Sequence, residues 1–188
     1  LPKGVMLTHG TVIENAFSHV RVLKLTKDDK FCLPVPMFHA LGCIGSALTT
    51  LIAGGTLIII DKVGPVGLLD ILRKEKCTVL CGVPTLYIDL ITAAGKTNYD
   101  LSSFSLQKCV VAGARCPEKI LSAITETFGV EDTMVMYGMT EAGPGVTSSR
   151  LGDPLEIKTK TVGKLWPGTE MKFVDIKTGE ELPAGAHG

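Results

Sequence analysis

Apolar positions along this chain switch repeatedly between a helical spacing and short unbroken runs. "THGTVIENAFSHVRVLKL" sets Val12, Ala16, His19 and Leu23 at helical intervals behind Thr8, a side chain suited to capping. "KFCLPV" reads as a short strand closed by Pro34 and Pro36. The next apolar stretch divides at Gly54-Gly55 into a helix from about Ala40 to Ala53 and a β-branched strand, Thr56 to Ile60. Gly64-Pro65 turns the chain into "VGLLDILRKEK", a helix whose last turn carries basic residues that suit its dipole. "CTVLCG" is a strand, and Pro84 starts the helix "TLYIDLITAAG", expected to end on Gly95. After the polar loop "KTNYDLSSFS" come the strand "LQKCVVAG" and the helix "PEKILSAITETFG", opened by Pro117 and capped by Gly129. "TMVMY" is a further strand, and "EMKFVDIKTGEEL" alternates as a β pattern around a Lys177-Thr178-Gly179 turn.

Strands centred near residues 57, 79, 109 and 134 recur with helices between them. That rhythm predicts an α/β fold, a mostly parallel sheet with helices on both faces. The strands lack interior polar residues, which predicts a sheet buried on both sides. Ligands of such sheets bind beyond the carboxyl ends of the strands. "VVAGARCP" follows one strand end and "VMYGMTEAGPG" the next. Gly113 and Gly138 stand where a missing side chain lets a flat ring or a phosphate reach the backbone. Tyr137 offers a ring face, Thr140 a hydroxyl for a phosphate, and Glu141 a hard oxygen suited to Mg²⁺. Turn glycines and a solvated loop account for the same letters, so spacing alone leaves both readings open.

Composition narrows the function classes. The 188 residues are 45% hydrophobic and 20% charged, with 19 basic residues against 19 acidic ones. A sizeable core follows, and neither a nucleic-acid groove nor an acidic tail is expected. Of six cysteines, Cys32, Cys77, Cys81 and Cys109 sit in apolar runs and read as reduced core residues, which favours an intracellular compartment. Cytoplasmic and mitochondrial locations both fit. His9, His19, His39 and His187 include no pair at helical metal-site spacing. Leu41 to Ile60 carries no charge over roughly the 20 residues a membrane helix needs, yet the glycine pair divides it. A buried helix and strand are expected there instead of a transmembrane segment.

Six motifs in order carry a family resemblance: "PKG" at Pro2 to Gly4, "PMFHALG", "GVPTLY", "VVAGARCP", "YGMTE" and "VGKLWPGTEMKFVD". Over nearly its whole length the chain resembles the adenylate-forming (AMP-binding) enzymes, and most of all the medium- and long-chain fatty acyl-CoA synthetases. The resemblance implies a ligase that uses ATP, Mg²⁺ and coenzyme A to convert a carboxylic acid first to an acyl-adenylate and then to a thioester. It makes Glu141 the magnesium-ligating glutamate, Thr140 the hydroxyl on the phosphates and Lys3 the lysine that ends the phosphate loop. Gly113, Ala114 and Arg115 line the adenine site, and Tyr137, Gly138 and Met139 wall the adenine and acyl pocket. His39 matches a position beside the substrate carboxylate, although a capping histidine explains it as well. Gly163, Trp166 and Gly168 are expected to be structural.

Members of that family carry a Ser/Thr/Gly-rich phosphate loop before "PKG", and further on a ribose-binding aspartate and a C-terminal domain with a catalytic lysine. Residues 1–188 are therefore expected to be a partial AMP-binding domain, inactive alone and with exposed sheet edges. A non-catalytic nucleotide- or acyl-binding module, or a luciferase-like or peptide-synthetase adenylation domain, remains the alternative. The sequence does not specify the acyl chain or the oligomeric state.

Overall fold

The computed structural model describes residues 3–130 and 132–186. Pro2, which opens the "PKG" motif, and His187 lie outside the described residues. In chain order the elements are α1 (His9–Leu23), β1 (Lys30–Leu33), α2 (Ala40–Gly42), a π-helical stretch (Cys43–Leu48) and α3 (Thr49–Ala53). Next come β2 (Thr56–Ile59), α4 (Pro65–Lys74), β3 (Val79–Gly82), α5 (Pro84–Thr97), β4 (Lys108–Ala112) and α6 (Glu118–Phe128). β5 (Asp132–Gly138), a 3₁₀ turn (Thr140–Ala142), β6 (Gly145–Ser148), α7 (Leu155–Lys160) and β7 (Lys164–Leu165) complete them.

The strands form one sheet in the order β2-β1-β3-β4-β5-β6-β7. The pairs from β2 to β5 are parallel, as expected from the alternation of strands and helices. β6 then turns back antiparallel against β5, and β7 antiparallel against β6. Period-2 alternation sends each strand's side chains to two cores. On one face Cys32, Leu80, Cys109 and Val111 meet Leu69 and Leu72 of α4, Tyr87 and Leu90 of α5, and Leu121 and Ile124 of α6. On the other face Phe31, Val79, Cys81, Val110, Met134 and Met136 meet Val22 and Leu23 of α1, with Leu41 and Trp166. Each such aliphatic side chain contributes on the order of 2 kcal/mol by leaving water.

Local chemistry explains the helix limits. Thr8 caps α1 by accepting the Thr11 N–H at 3.0 Å. Gly129 closes α6 as expected, but α5 runs past Gly95 to Thr97 and ends on Asn98, which takes the left-handed conformation at φ 47°. The uncharged helix read from Ala40 to Ala53 is helical throughout, with a π-helical centre. There the Ser46 and Thr49 hydroxyls donate to carbonyls five residues back, those of Leu41 and Ile44, at 3.0 and 2.8 Å. No helix among the described residues is long and apolar enough to cross a membrane.

Three expectations need correction. β2 is not buried on both sides: it pairs only with β1 among the described residues, and Ile59 is 64% exposed. The alternating "EMKFVDIKTGEEL" forms one isolated bridge, Val174 to Glu181, instead of two strands, because Phe173 and Ile176 find no core and stay exposed. The antiparallel strands β6 and β7 were not expected. At the amino ends of the strands, Asp29 accepts from Thr78 Oγ1 at 2.8 Å and pairs with Lys108 Nζ at 3.1 Å, both partners largely buried.

Candidate functional site

β4 and β5 run side by side, with Ala112 opposite Met136, so their carboxyl ends open at one place. Gly113, Ala114 and Arg115 leave β4 exposed there, and Tyr137, Gly138 and Met139 leave β5 beside them. The two segments line a cavity of about 560 Å³ together with residues 158–162, at and just beyond the end of α7. A smaller hollow of about 50 Å³ adjoins it and is lined by His39, Gly113, Gly138, Met139 and Thr140. Gly113 and Gly138 border both spaces.

Gly138 has a structural cause that spacing did not reveal. A Cβ there would lie 1.6 Å from the Pro144 carbonyl oxygen, because the β5–β6 hairpin folds back upon it. The hairpin itself requires this glycine, and the open backbone beside the cavity is a consequence.

Thr140 and Glu141 occupy the hairpin's 3₁₀ turn, both exposed. Lys3 Nζ lies 2.9 Å from Glu141 Oε1, joining the segment before α1 to that turn across 138 residues. The Lys3 ammonium, helped by the turn's own backbone N–H, holds the Glu141 carboxyl below the usual carboxylate range. Glu141 is therefore ionised through the neutral range. Lys3 borders neither cavity and reaches the site only through Glu141. His39 caps α2, its Nδ1 accepting the Leu41 N–H at 3.2 Å, while also facing the smaller hollow.

A divalent cation is compatible with this arrangement. Among the described residues no three His, Cys, Asp or Glu side chains converge as a metal cage. Mg²⁺ does not need one, since it is commonly held by one or two carboxylates together with phosphates and water. Glu141, ionised and exposed beside the Thr140 hydroxyl, is such a carboxylate. The buried cysteines take no part: burial pushes the Cys81 and Cys109 thiols up to about 12, so they stay protonated. Cys43, not among the four read as core residues, is exposed, and all six cysteines are free.

Residues 1–188 match the family described as AMP-binding enzymes. The chain belongs to that family. It is 40% identical over 187 residues to YngI of Bacillus subtilis, covering all of this chain and 34% of that protein. It is 36% identical to the mitochondrial medium-chain acyl-CoA ligase ACSF2 of Danio rerio, covering all of this chain and 31% of the relative. The crystal structure of apo MatB from Rhodopseudomonas palustris superposes with a TM-score of 0.85 at 28% identity, covering 98% of this chain and 35% of that one. The chain thus spans about a third of the length of the curated relatives it matches.

Two contributors escaped the sequence reading. α7, whose end and the two residues after it line the cavity, is six residues long and announced only by Asp153-Pro154. Asn15, in the middle of α1, bonds to the hairpin that carries Thr140 and Glu141. Nothing local to α1 signals a partner so distant in sequence.

Proposed function

We propose that the chain is the central part of the nucleotide-binding domain of an acyl-CoA synthetase, an AMP-forming ligase that activates a fatty, medium-chain carboxylic acid. One observation carries this reading. The exits of β4 and β5 line one cavity, and Thr140, whose turn also bears Glu141 ion-paired to Lys3, lines the hollow that adjoins it. Family membership and the medium-chain acyl-CoA ligases among the relatives support it. The six free cysteines accord with an intracellular compartment.

In the first half-reaction a carboxylate oxygen attacks the α-phosphorus of ATP. The bond to pyrophosphate breaks and an acyl-adenylate forms. In the second, the thiolate sulfur of coenzyme A attacks the acyl carbonyl carbon, AMP leaves, and the thiol proton passes to solvent. Catalysis of this kind is mostly positioning and charge neutralisation. Gly113, Ala114 and Arg115 take the adenine against their backbone, and Tyr137 presents its ring face opposite. Thr140 donates its hydroxyl to a phosphate oxygen, and Lys3 offsets phosphate charge. His39 and Met139 border the hollow in which the acid's carboxylate lies. Glu141 is the protein ligand for Mg²⁺, which when bound neutralises charge on the phosphates.

The test is carboxylate-dependent ATP–pyrophosphate exchange by the full-length protein, with acids from acetate through medium to long chains and benzoates. Exchange is expected with medium-chain acids and falls roughly 100-fold or more in Glu141→Ala, the scale of losing one transition-state electrostatic contact. A folded, ATP-binding protein that exchanges with no acid overturns the reading in favour of a non-catalytic binding module. The isolated 188-residue segment is expected to form no acyl-adenylate.

A further inference from the structure

The turn that carries Thr140 and Glu141 is held from two sides by contacts of opposite character. On the solvent side stands the Lys3–Glu141 ion pair, with side chains 83% and 43% exposed. Such pairs are weak and readily exchanged. On the inner side stands Asn15, in the second turn of α1 and only 9% exposed. Its Nδ2 donates to the Gly145 carbonyl at 2.7 Å and lies 3.4 Å from that of Ala142, while its Oδ1 accepts the Gly145 N–H at 3.2 Å. One primary amide therefore engages both backbone groups of Gly145, the first residue of β6, and the carbonyl of the turn's last residue.

The surroundings make this clamp rigid. A Cβ on Gly145 would lie 2.2 Å from the Trp166 ring, so Gly145 rests directly on that buried indole. Trp166 is fixed in turn by its Nε1 donating to Ser148 Oγ at 2.9 Å, and by the edge-to-face His19 ring 4.3 Å away. His19 Nδ1 lies 2.9 Å from the Asn15 carbonyl, so the clamp and the indole share a helix turn. Gly143, within the same loop, packs against Thr11 of α1.

We propose that Asn15 is a positioning residue: through Ala142 and Gly145 it sets the height of the Thr140–Glu141 turn above the cavity, without itself touching substrate. This rests on the assignment of Thr140 and Glu141 to the phosphates and their metal. The division of labour follows from the energetics. Glu141 must exchange Lys3 for another partner when it takes up a cation, and the exposed pair lets it. The buried amide keeps the backbone in place while that exchange happens, because releasing it would take a partner from both backbone groups of the buried Gly145.

The experiment is the Mg²⁺ dependence of two readouts of the full-length protein, ATP–pyrophosphate exchange and equilibrium ATP binding without turnover, measured for wild type, Asn15→Ala, the isosteric Asn15→Asp and the control Ser18→Ala. Ser18 is buried on the same helix but bonds Pro167, away from the turn. Misplacement by about an ångström costs up to roughly 100-fold in kcat/KM for Mg·ATP, and the half-saturating Mg²⁺ concentration is expected to rise by at least about threefold in both Asn15 variants. Ser18→Ala should leave both values unchanged. Loss of folded protein alone lowers the maximal rate without moving Mg²⁺ half-saturation. A half-saturation unchanged in whichever Asn15 variants fold therefore overturns the proposal and leaves the enzyme reading intact. If wild type exchanges with no acid, the enzyme reading fails and the proposal falls with it.

Discussion

His19 is wholly buried, with no hydrogen-bond partner for its Nε2 among the described residues, and burial pulls its pKa down from 6.5 to about 4 against the pull of the Asn15 carbonyl. A base whose folded pKa is depressed stabilises the fold fully above its unfolded pKa, and loses that contribution as pH falls toward the folded one. Stability is thus expected to decline between pH 6.5 and about 4, by roughly 3 kcal/mol at most from this residue. Urea titrations across that window check it. His19→Gln should be less stable at pH 7 and show a flatter slope. Asp29 follows at lower pH: burial opposes its charge, but the Thr26 N–H, Thr78 and Lys108 together hold its pKa below the usual value. Its contribution is present above the unfolded pKa and is lost only on further acidification. At this scale the sequence was half legible. Tyr137, Thr140 and Glu141 announce themselves by type at a strand exit. Asn15 does not, since a polar residue inside an amphipathic helix reads as surface until its distant partner is known, whereas His19 falls on the apolar spacing of α1 and is buried there.

Elements show which local signals survive tertiary context. Proline starts, the Thr8 cap and the Gly129 stop act where the sequence places them, because each depends on a backbone group a few residues away. Gly95 fails as a stop because α5 has a further turn to make, and Asn98 tolerates the left-handed geometry that follows. β6 escaped because "GVTSS" shows neither alternation nor an apolar run. It is fully buried all the same, with Ser148 accepting from Trp166 and the following Ser149 from the β5 backbone. That hairpin is tightly packed. Gly145→Ala would drive a methyl group into the Trp166 ring, and a loss of about 3 kcal/mol is expected from overpacking. Thermal unfolding measures it, and a loss below about 1 kcal/mol would show that the indole can yield.

The whole sheet has two unlike ends. Its carboxyl edge carries glycines, an exposed turn and the cavity, whereas its amino edge is tied by Asp29, Thr78 and Lys108 across the starts of β1, β3 and β4. The parallel core between these ends was legible because five short apolar strands with intervening helices admit few arrangements. The antiparallel flank was not, since β7 is two residues long and both its positions are exposed. Breaking the amino-edge tie should cost stability and spare the site. Lys108→Ala strands the Asp29 carboxylate and is expected to lose roughly 3 kcal/mol. Mg²⁺ half-saturation of the full-length protein should stay at the wild-type value. A shift there would mean that the two ends communicate.

The Asn15–Gly145 contact joins positions 130 residues apart, which bears on how the molecule is made. Loop closure of that length adds little to the equilibrium cost, since the entropy grows only with the logarithm of length. Time is another matter. At ordinary synthesis rates the ribosome needs on the order of 10 seconds to deliver Gly145 after Asn15, a span set by the 130 intervening positions. Throughout that interval the inner face of α1, with Ala16, His19 and Leu23, has neither Trp166 nor the hairpin to cover it. The nascent chain therefore shows an amphipathic helix to the cell before its partner exists, and α1 is the segment that a chaperone guarding this protein would hold.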